Sequence, residues 1–284
     1  MAAATEATRG AEVVVIRPST RWVDLGLGEL WRARELLYFL TVRDLKVRYK
    51  QTFLGVVWAV LQPVMYMIVF TLFFGRLAGL YTPDQPYALL TLTGSVIWLF
   101  FANSVTLASG SLVGSSALIT KVYFPRLLQA ASPVIAALVD LALSCVVMVG
   151  IILAYGEFPG MRVLVVFPFL LLAMATAVGV GAWLAALNVK YRDVRFVVPF
   201  VLQLWMFASA VFYSAQALNL DEPWDTLFWA NPMAGVVEGW RWGLLGGPRP
   251  SSSEVALSVL GGLVVAVAGV VYFRRKEREF ADIV

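Results

Sequence analysis

The chain has 284 residues, of which 60% are apolar and only 14% charged, with a formal net charge of +4 and a mean hydropathy of +0.80. A soluble domain carries about 25% charged residues, so most of this surface faces lipid and a water-soluble enzyme is excluded. There is no histidine and a single cysteine, Cys145, in an apolar run, which rules out a disulfide framework and a Cys/His zinc site and leaves Cys145 as a small packing residue.

Residues 1–28 carry Glu6, Glu12, Gly10, Pro18, Gly26 and Gly28, and the early apolar run 13–16 is too short for the core of a signal peptide. No cleaved leader is expected, and the stretch reads as a flexible cytoplasmic arm. Residues 29–50 read as an amphipathic helix lying at the membrane interface. At 100° per residue Arg32, Arg43, Lys46 and Lys50 fall within about 60° of one another, a basic stripe suited to anionic headgroups. Arg34 and Arg48 lie nearly opposite, so either the segment is a simple positive anchor or a second polar surface, such as another protein chain, meets that face.

Apolar runs then predict an all-α membrane protein with six transmembrane helices near 53–75, 87–112, 133–155, 163–189, 196–213 and 255–273, since about 20 apolar residues suffice to cross a bilayer. Asp140 is the one charge in the third run. An acid there costs several kcal/mol (order of magnitude) unless it is paired or wet, so it is either functional or a hydrogen-bonded packing residue. Between the fifth and sixth runs the segment 221–254 holds Trp224, Trp229, Trp240 and Trp242. It is too long for a hairpin turn, and short re-entrant helices on the extracytoplasmic side are expected if they are buried against protein. Its tryptophans would serve as interfacial anchors or as contacts for a sugar chain. Tyr66, Trp98 and Phe101 are the aromatic candidates for lining a path. Residues 274–284 form a cytoplasmic tail.

Lys and Arg settle the expected orientation. Eighteen fall on the side of both termini and of the loops holding Lys121 and Arg126 and Lys190, Arg192 and Arg195, against four on the other side. The positive-inside rule places the first side, and so both termini, in the cytoplasm. In the first of these loops Lys121 and Arg126 bracket Tyr123 and Phe124, an aromatic pair expected to be exposed, with Val122 between and Pro125 fixing the backbone. A charged rim around an aromatic centre suits a protein contact, although an ordinary loop would look the same.

Three stretches, RDLKVRYKQTFLGVVWAVLQP (43–63), ALITKVYFPRLLQAASPV (117–134) and LNVKYRDVRFVVP (187–199), occur in order. Through them the chain from about Trp31 to its C-terminus resembles the ABC-2 type permeases, within them the branch that exports polysaccharides such as O-antigen and teichoic acid chains. The resemblance implies an interfacial helix (Arg32, Arg43, Lys46, Arg48, Lys50) beside an ABC ATPase, and a coupling helix at Lys121, Val122, Tyr123, Phe124, Pro125 and Arg126 inserted into that ATPase. It makes Lys190, Tyr191, Arg192, Asp193 and Arg195 the second cytoplasmic loop and puts gate helices around the four tryptophans of 221–254. It further implies a homodimer with two ATPase subunits that hold ATP and Mg, no cofactor on this chain, a lipid-linked polysaccharide as cargo, and the bacterial inner membrane.

No G-x-x-x-x-G-K-[ST] phosphate loop occurs, so this chain is not expected to hydrolyse ATP, and no nucleic-acid partner is indicated. An ABC-2 exporter of drugs or lipids would share the architecture. A membrane glycosyltransferase is the rival from the enzyme class, and Asp221, Glu222 and Asp225 are the nearest approach to the acid cluster it would need.

Overall fold

The computed structural model describes residues 27–50, 55–77, 85–115, 124–277 and Phe280; most of the arm expected at 1–28 lies outside the described residues. All regular elements are helical, with no strand among the described residues. Lipid favours this, because a helix satisfies its backbone N–H and C=O groups within its own segment.

In chain order the helices are α1 (Leu27–Arg32), α2 (Arg34–Tyr49), α3 (Gly55–Phe70, continuing as a π-helical stretch Thr71–Leu77), α4 (Tyr87–Gly114), α5 (Leu127–Ala154), α6 (Val166–Lys190, entered by a 3-10 turn Gly160–Val165), α7 (Val194–Ala208), α8 (Trp224–Trp229), α9 (Pro232–Leu245) and α10 (Ser252–Lys276). Among the described residues five segments are long and apolar enough to cross a membrane: Val57–Arg76, Tyr87–Gly114, Leu127–Ala154, Gly160–Lys190 and Ser252–Lys276. α4 is the central post, enclosed by α3, α5, α6 and α9.

Two expectations change. The basic segment is two helices, because Ala33 (φ −91°, ψ 17°) interrupts the ladder. Arg32 therefore ends α1, whereas Arg43 and Lys46 lie on α2 and Lys50 at its C-cap. The single four-cation stripe is corrected accordingly. The fifth expected span, 196–213, is shorter than read: α7 has 15 residues, about 22 Å at 1.5 Å per residue, against a hydrocarbon core of roughly 30 Å. The chain leaves the helix at Ser209 and Ala210, the latter left-handed at φ 52°.

Past α7 the chain runs through a 3-10 turn, Ala215–Leu218, into α8 and α9, the short pair expected before the last span. Asn231 starts α9, its side chain accepting from the Met233 N–H ahead of Pro232 at the first helical position. The helix is buried over nearly its whole length. Glycine makes that possible: a Cβ at Gly235 would strike Ser258, at Gly239 the ring of Phe169, and at Gly243 Val166. This four-residue spacing of absent side chains seats α9 against α6 and α10. The last span opens on a capping box between Ser251 and Glu254 and closes on Arg274, Arg275 and Lys276, cations that suit the negative end of a helix.

Candidate functional site

The acid in the third span has partners. Asp140 lies roughly 20 Å along α5 from its start, where an unpaired charge would be expensive. α2 packs along α5 and delivers both partners: Arg48 donates to one carboxylate oxygen and the Tyr49 hydroxyl to the other. The second polar surface expected opposite the basic stripe is thus met, for Arg48, by this chain's own third span. Burial, followed by the hydrogen bond to Asp140, pushes the Tyr49 phenol up to about 12, so it remains a neutral donor. One turn earlier Asp44 accepts from the Ser132 hydroxyl at 2.7 Å and pairs with Arg43 at 2.8 Å. Ser144, one turn beyond Asp140, donates to the Ala59 carbonyl at 2.7 Å. α2 and the start of α3 are therefore laced to α5 by side-chain hydrogen bonds.

This node forms one wall of a cavity of about 360 Å³ between α2, α3, α4 and α5. Its polar lining is Arg48, Gln62, Asn103, Thr106, Asp140 and Ser144, with Trp58 and Phe100 among the apolar surfaces. Asn103 and Thr106 are exposed on the open side of a membrane-crossing helix, and Trp58 is 59% exposed. Amides and hydroxyls that both donate and accept suit a ligand rich in hydroxyl groups, and an indole face accepts the C–H face of a ring.

The expected path-lining aromatics lie elsewhere. Trp98 and Phe101 are buried in the core, where both rings meet Trp205 edge-on at 6.5 and 5.1 Å. The α4 face they occupy is covered by α7, so in this subunit neither ring borders open space. Tyr66 is half-buried and packs edge-on against Phe70 and Phe212.

At the basic end of the bundle, Lys121, Val122 and Tyr123 lie outside the described residues. Phe124 is not exposed as expected. It is 7% accessible in a second core with Leu40, Leu112, Leu127, Leu128, Phe273 and Phe280, because five segments converge there and take up the ring. Pro125 and Arg126 are half-buried. In the other loop Lys190, Tyr191, Arg192, Asp193 and Arg195 are all exposed, with Lys190 5.3 Å from the Tyr191 ring and Arg195 4.6 Å from the ring of Phe196.

The tryptophans of the far end divide. Trp224 is exposed, Trp229 and Trp240 are buried, and Trp242 is half-buried with Arg249 5.2 Å from its ring. Sequence reasoning passed over the residue that organises this region, Arg241. Its buried guanidinium donates to the carbonyls of Leu90, Val211 and Tyr213 and pairs with Glu238 at 3.0 Å. Glu238 in turn accepts from the Ala215 N–H, and the Tyr87 hydroxyl takes the Phe212 carbonyl at 2.6 Å. The irregular backbone after α7 thus has the carbonyls of residues 211, 212 and 213 satisfied by side chains, as backbone at membrane depth requires. Gly94 gives the guanidinium room to reach them. The available signal was an acid and a base three apart, Glu238 and Arg241, in a stretch without other charges from Pro232 to Gly247.

Residues 35–245 match the family model described as ABC-2 type transporter. The chain is similar to the O-antigen export system permease protein RfbA of Myxococcus xanthus, 29% identical over 255 residues covering 89% of this chain and 97% of that protein. A protein of the same name from Klebsiella pneumoniae is 24% identical over 250 residues, 88% of this chain and 95% of its own length. The polysialic acid transport protein KpsM of Escherichia coli is 23% identical over 243 residues, 84% and 92% of the two chains.

Proposed function

We propose that this chain, which belongs to the ABC-2 type transporter family, is the permease subunit of an exporter that carries a lipid-linked polysaccharide out of the bacterial cytoplasm across the inner membrane. The observation that carries the reading is similarity along nearly the whole length of relatives named for O-antigen export. The cavity beside Asp140 adds to it: within a largely apolar lining, amides, hydroxyls and an exposed indole offer partners for the hydroxyls and ring faces of a sugar chain.

Energy comes from a separate ABC ATPase, which holds ATP and Mg, since this chain carries no phosphate loop. Two copies of the chain assemble with two ATPase subunits, and both termini face the cytoplasm, the side rich in Lys and Arg. Closure of the ATPase pair on ATP pushes the loop 121–126. With Phe124 turned into the subunit's core, contact with the ATPase falls to the rest of the loop, Lys121, Val122, Tyr123, Pro125 and Arg126. The push is passed through α5 to the Arg48–Asp140 node, so α2 and the cavity wall move together.

Depletion of the protein in its host, with separate assay of surface glycan and of cytoplasm-facing lipid-linked glycan, tests this. Loss outside with accumulation inside is expected. If the glycan is never made, the chain is a glycosyltransferase; if both pools are normal, the cargo is a drug or a lipid. Replacement of Asp221, Glu222 and Asp225 by alanine sharpens the answer: an exporter keeps its activity, and a transferase that uses those acids loses it.

A further inference from the structure

Both ends of α10 are tied to segments outside the helix. At the basic end, the Glu277 carboxylate accepts the backbone N–H of Arg126 at 3.0 Å, and the Arg126 guanidinium donates back to the Glu277 carbonyl. α5 has no side-chain cap of its own, so Glu277 satisfies an orphan N–H and sets an anion at the positive end of that helix. Arg274, in the last turn of α10, holds the same carboxylate at 3.5 Å. Phe280, 2% accessible, lies 5.3 Å from the Phe273 ring in the core that also takes Phe124, Leu127 and Leu128. Tail and loop therefore share one hydrophobic seat and one polar clasp.

At its other end α10 holds the turn between α8 and α9. The Ser258 hydroxyl donates to the Trp229 carbonyl at 2.7 Å. Gly261 leaves space that the Ala230 carbonyl occupies, and Gly235 of α9 abuts Ser258. Between these anchorages, about 28 Å apart along the helix, α10 packs closely on α6 at its glycines: Gly179 against Ala266 and Gly269, and Gly262 against the Leu172 side chain. The Trp183 and Tyr272 rings meet edge-on at 6.3 Å across the same contact, so α10 is keyed along its length and carries a displacement as a stiff body. Direct contact between α10 and α5 along the bundle is sparse, so Glu277 and Phe280 form the main junction of the last span with the loop.

We infer that α10 is a connecting rod: Glu277 and Phe280 clamp it to the loop at Phe124–Arg126, Ser258 and Gly261 clamp it to the re-entrant helices, and displacement of the loop reaches the far end through it. The inference rests on the ATPase-coupled reading of that loop. Glu277, Phe280 and Ser258 are positioning residues, acting through the backbone groups they hold. A helix that both ends bias between two placements is the physical requirement for coupling over such a distance.

The test uses the full complex with its ATPase in lipid nanodiscs, with Cys145→Ala and a reporter Leu220→Cys in the exposed segment before α8. The rate of labelling by a membrane-impermeant maleimide is read with and without a non-hydrolysable ATP analogue. The complex with its clamps intact is expected to show a nucleotide-dependent change of about fivefold or more. Glu277→Ala at one end and Ser258→Ala at the other each bring it below about twofold, while the ATPase still co-purifies. A full response in both variants overturns the rod. Failure to bind an ATPase, or no response with the clamps intact, overturns the reading beneath it and the inference with it.

Discussion

The Arg48–Asp140 and Arg241–Glu238 pairs sit in the same apolar bundle and are built for different ends. Arg48 and Asp140 come from separate helices, 92 positions apart, and their side chains keep 23% and 19% of their surface beside a cavity. Arg241 and Glu238 come from one helix, three positions apart, and keep 4% and 11%. The first ties α2 to α5 beside Tyr49, the Ser132–Asp44 hydrogen bond and the buried Leu40, so breaking it loosens a helix that stays docked. The second spends its donors on backbone carbonyls, so breaking it strands them. An ion pair inside a membrane protein is thus informative through what else its members bond, more than through its own distance.

The comparison breaks most visibly at Arg241. Arg241→Met leaves Glu238 and the carbonyls of Leu90, Val211 and Tyr213 without their donor, and a loss of about 3–5 kcal/mol is expected, read as loss of folded, monodisperse protein in detergent. Wild-type melting would remove the distinction drawn above. A smaller effect is expected at the other pair: Asp140→Leu and Arg48→Met each cost roughly 1–3 kcal/mol, with a coupling in the double variant of about 0.5–3 kcal/mol. There the fold survives and export falls, so thermal stability and transport are measured on the same samples. A coupling near zero would mean that Tyr49, Asp44 and Leu40 hold α2 without help from Arg48. The smallest effect is expected at Arg192→Gln in the exposed loop after α6, within about 0.5 kcal/mol in stability; a larger shift in the melting curve would show that this cation has a partner within the fold.

Much of the fold was legible because hydropathy reports length directly. The runs at 87–112 and 255–273 fall inside α4 and α10, and the tryptophan-rich segment before the last span does form a short helical pair. Azimuth was the harder quantity. Trp98 and Phe101 look like path-lining rings in a list of aromatics, yet a helix buries one face and opens another, and Asn103 and Thr106, less conspicuous in sequence, take the open side. Phe124 misled for a related reason: in a charged loop it reads as exposed, but its environment comes from Leu40, Phe273 and Phe280, all remote in sequence. The partner of Asp140 could not be read from its own span, because the answer lies in the helix before the first crossing. The shortness of α7 was hidden because Ala210, Val211, Phe212 and Tyr213 are as apolar as a helix would be; the left-handed Ala210 and the capture of the next three carbonyls by Arg241 and Tyr87 are features of the fold.

α7 gives one flank of the subunit a composite wall. α4 runs 28 residues and α7 only 15, about 42 Å against about 22 Å, and α7 turns Phe196, Phe200, Leu204 and Phe207 outward. Beyond it the wall continues as the non-helical residues 209–213, whose carbonyls at 211, 212 and 213 are held by Arg241 and Tyr87. A helix keeps its shape through its own hydrogen-bond ladder, whereas that continuation is only as stiff as the side chains that pin it. Mechanical compliance on this flank is therefore set by two residues that belong to other helices.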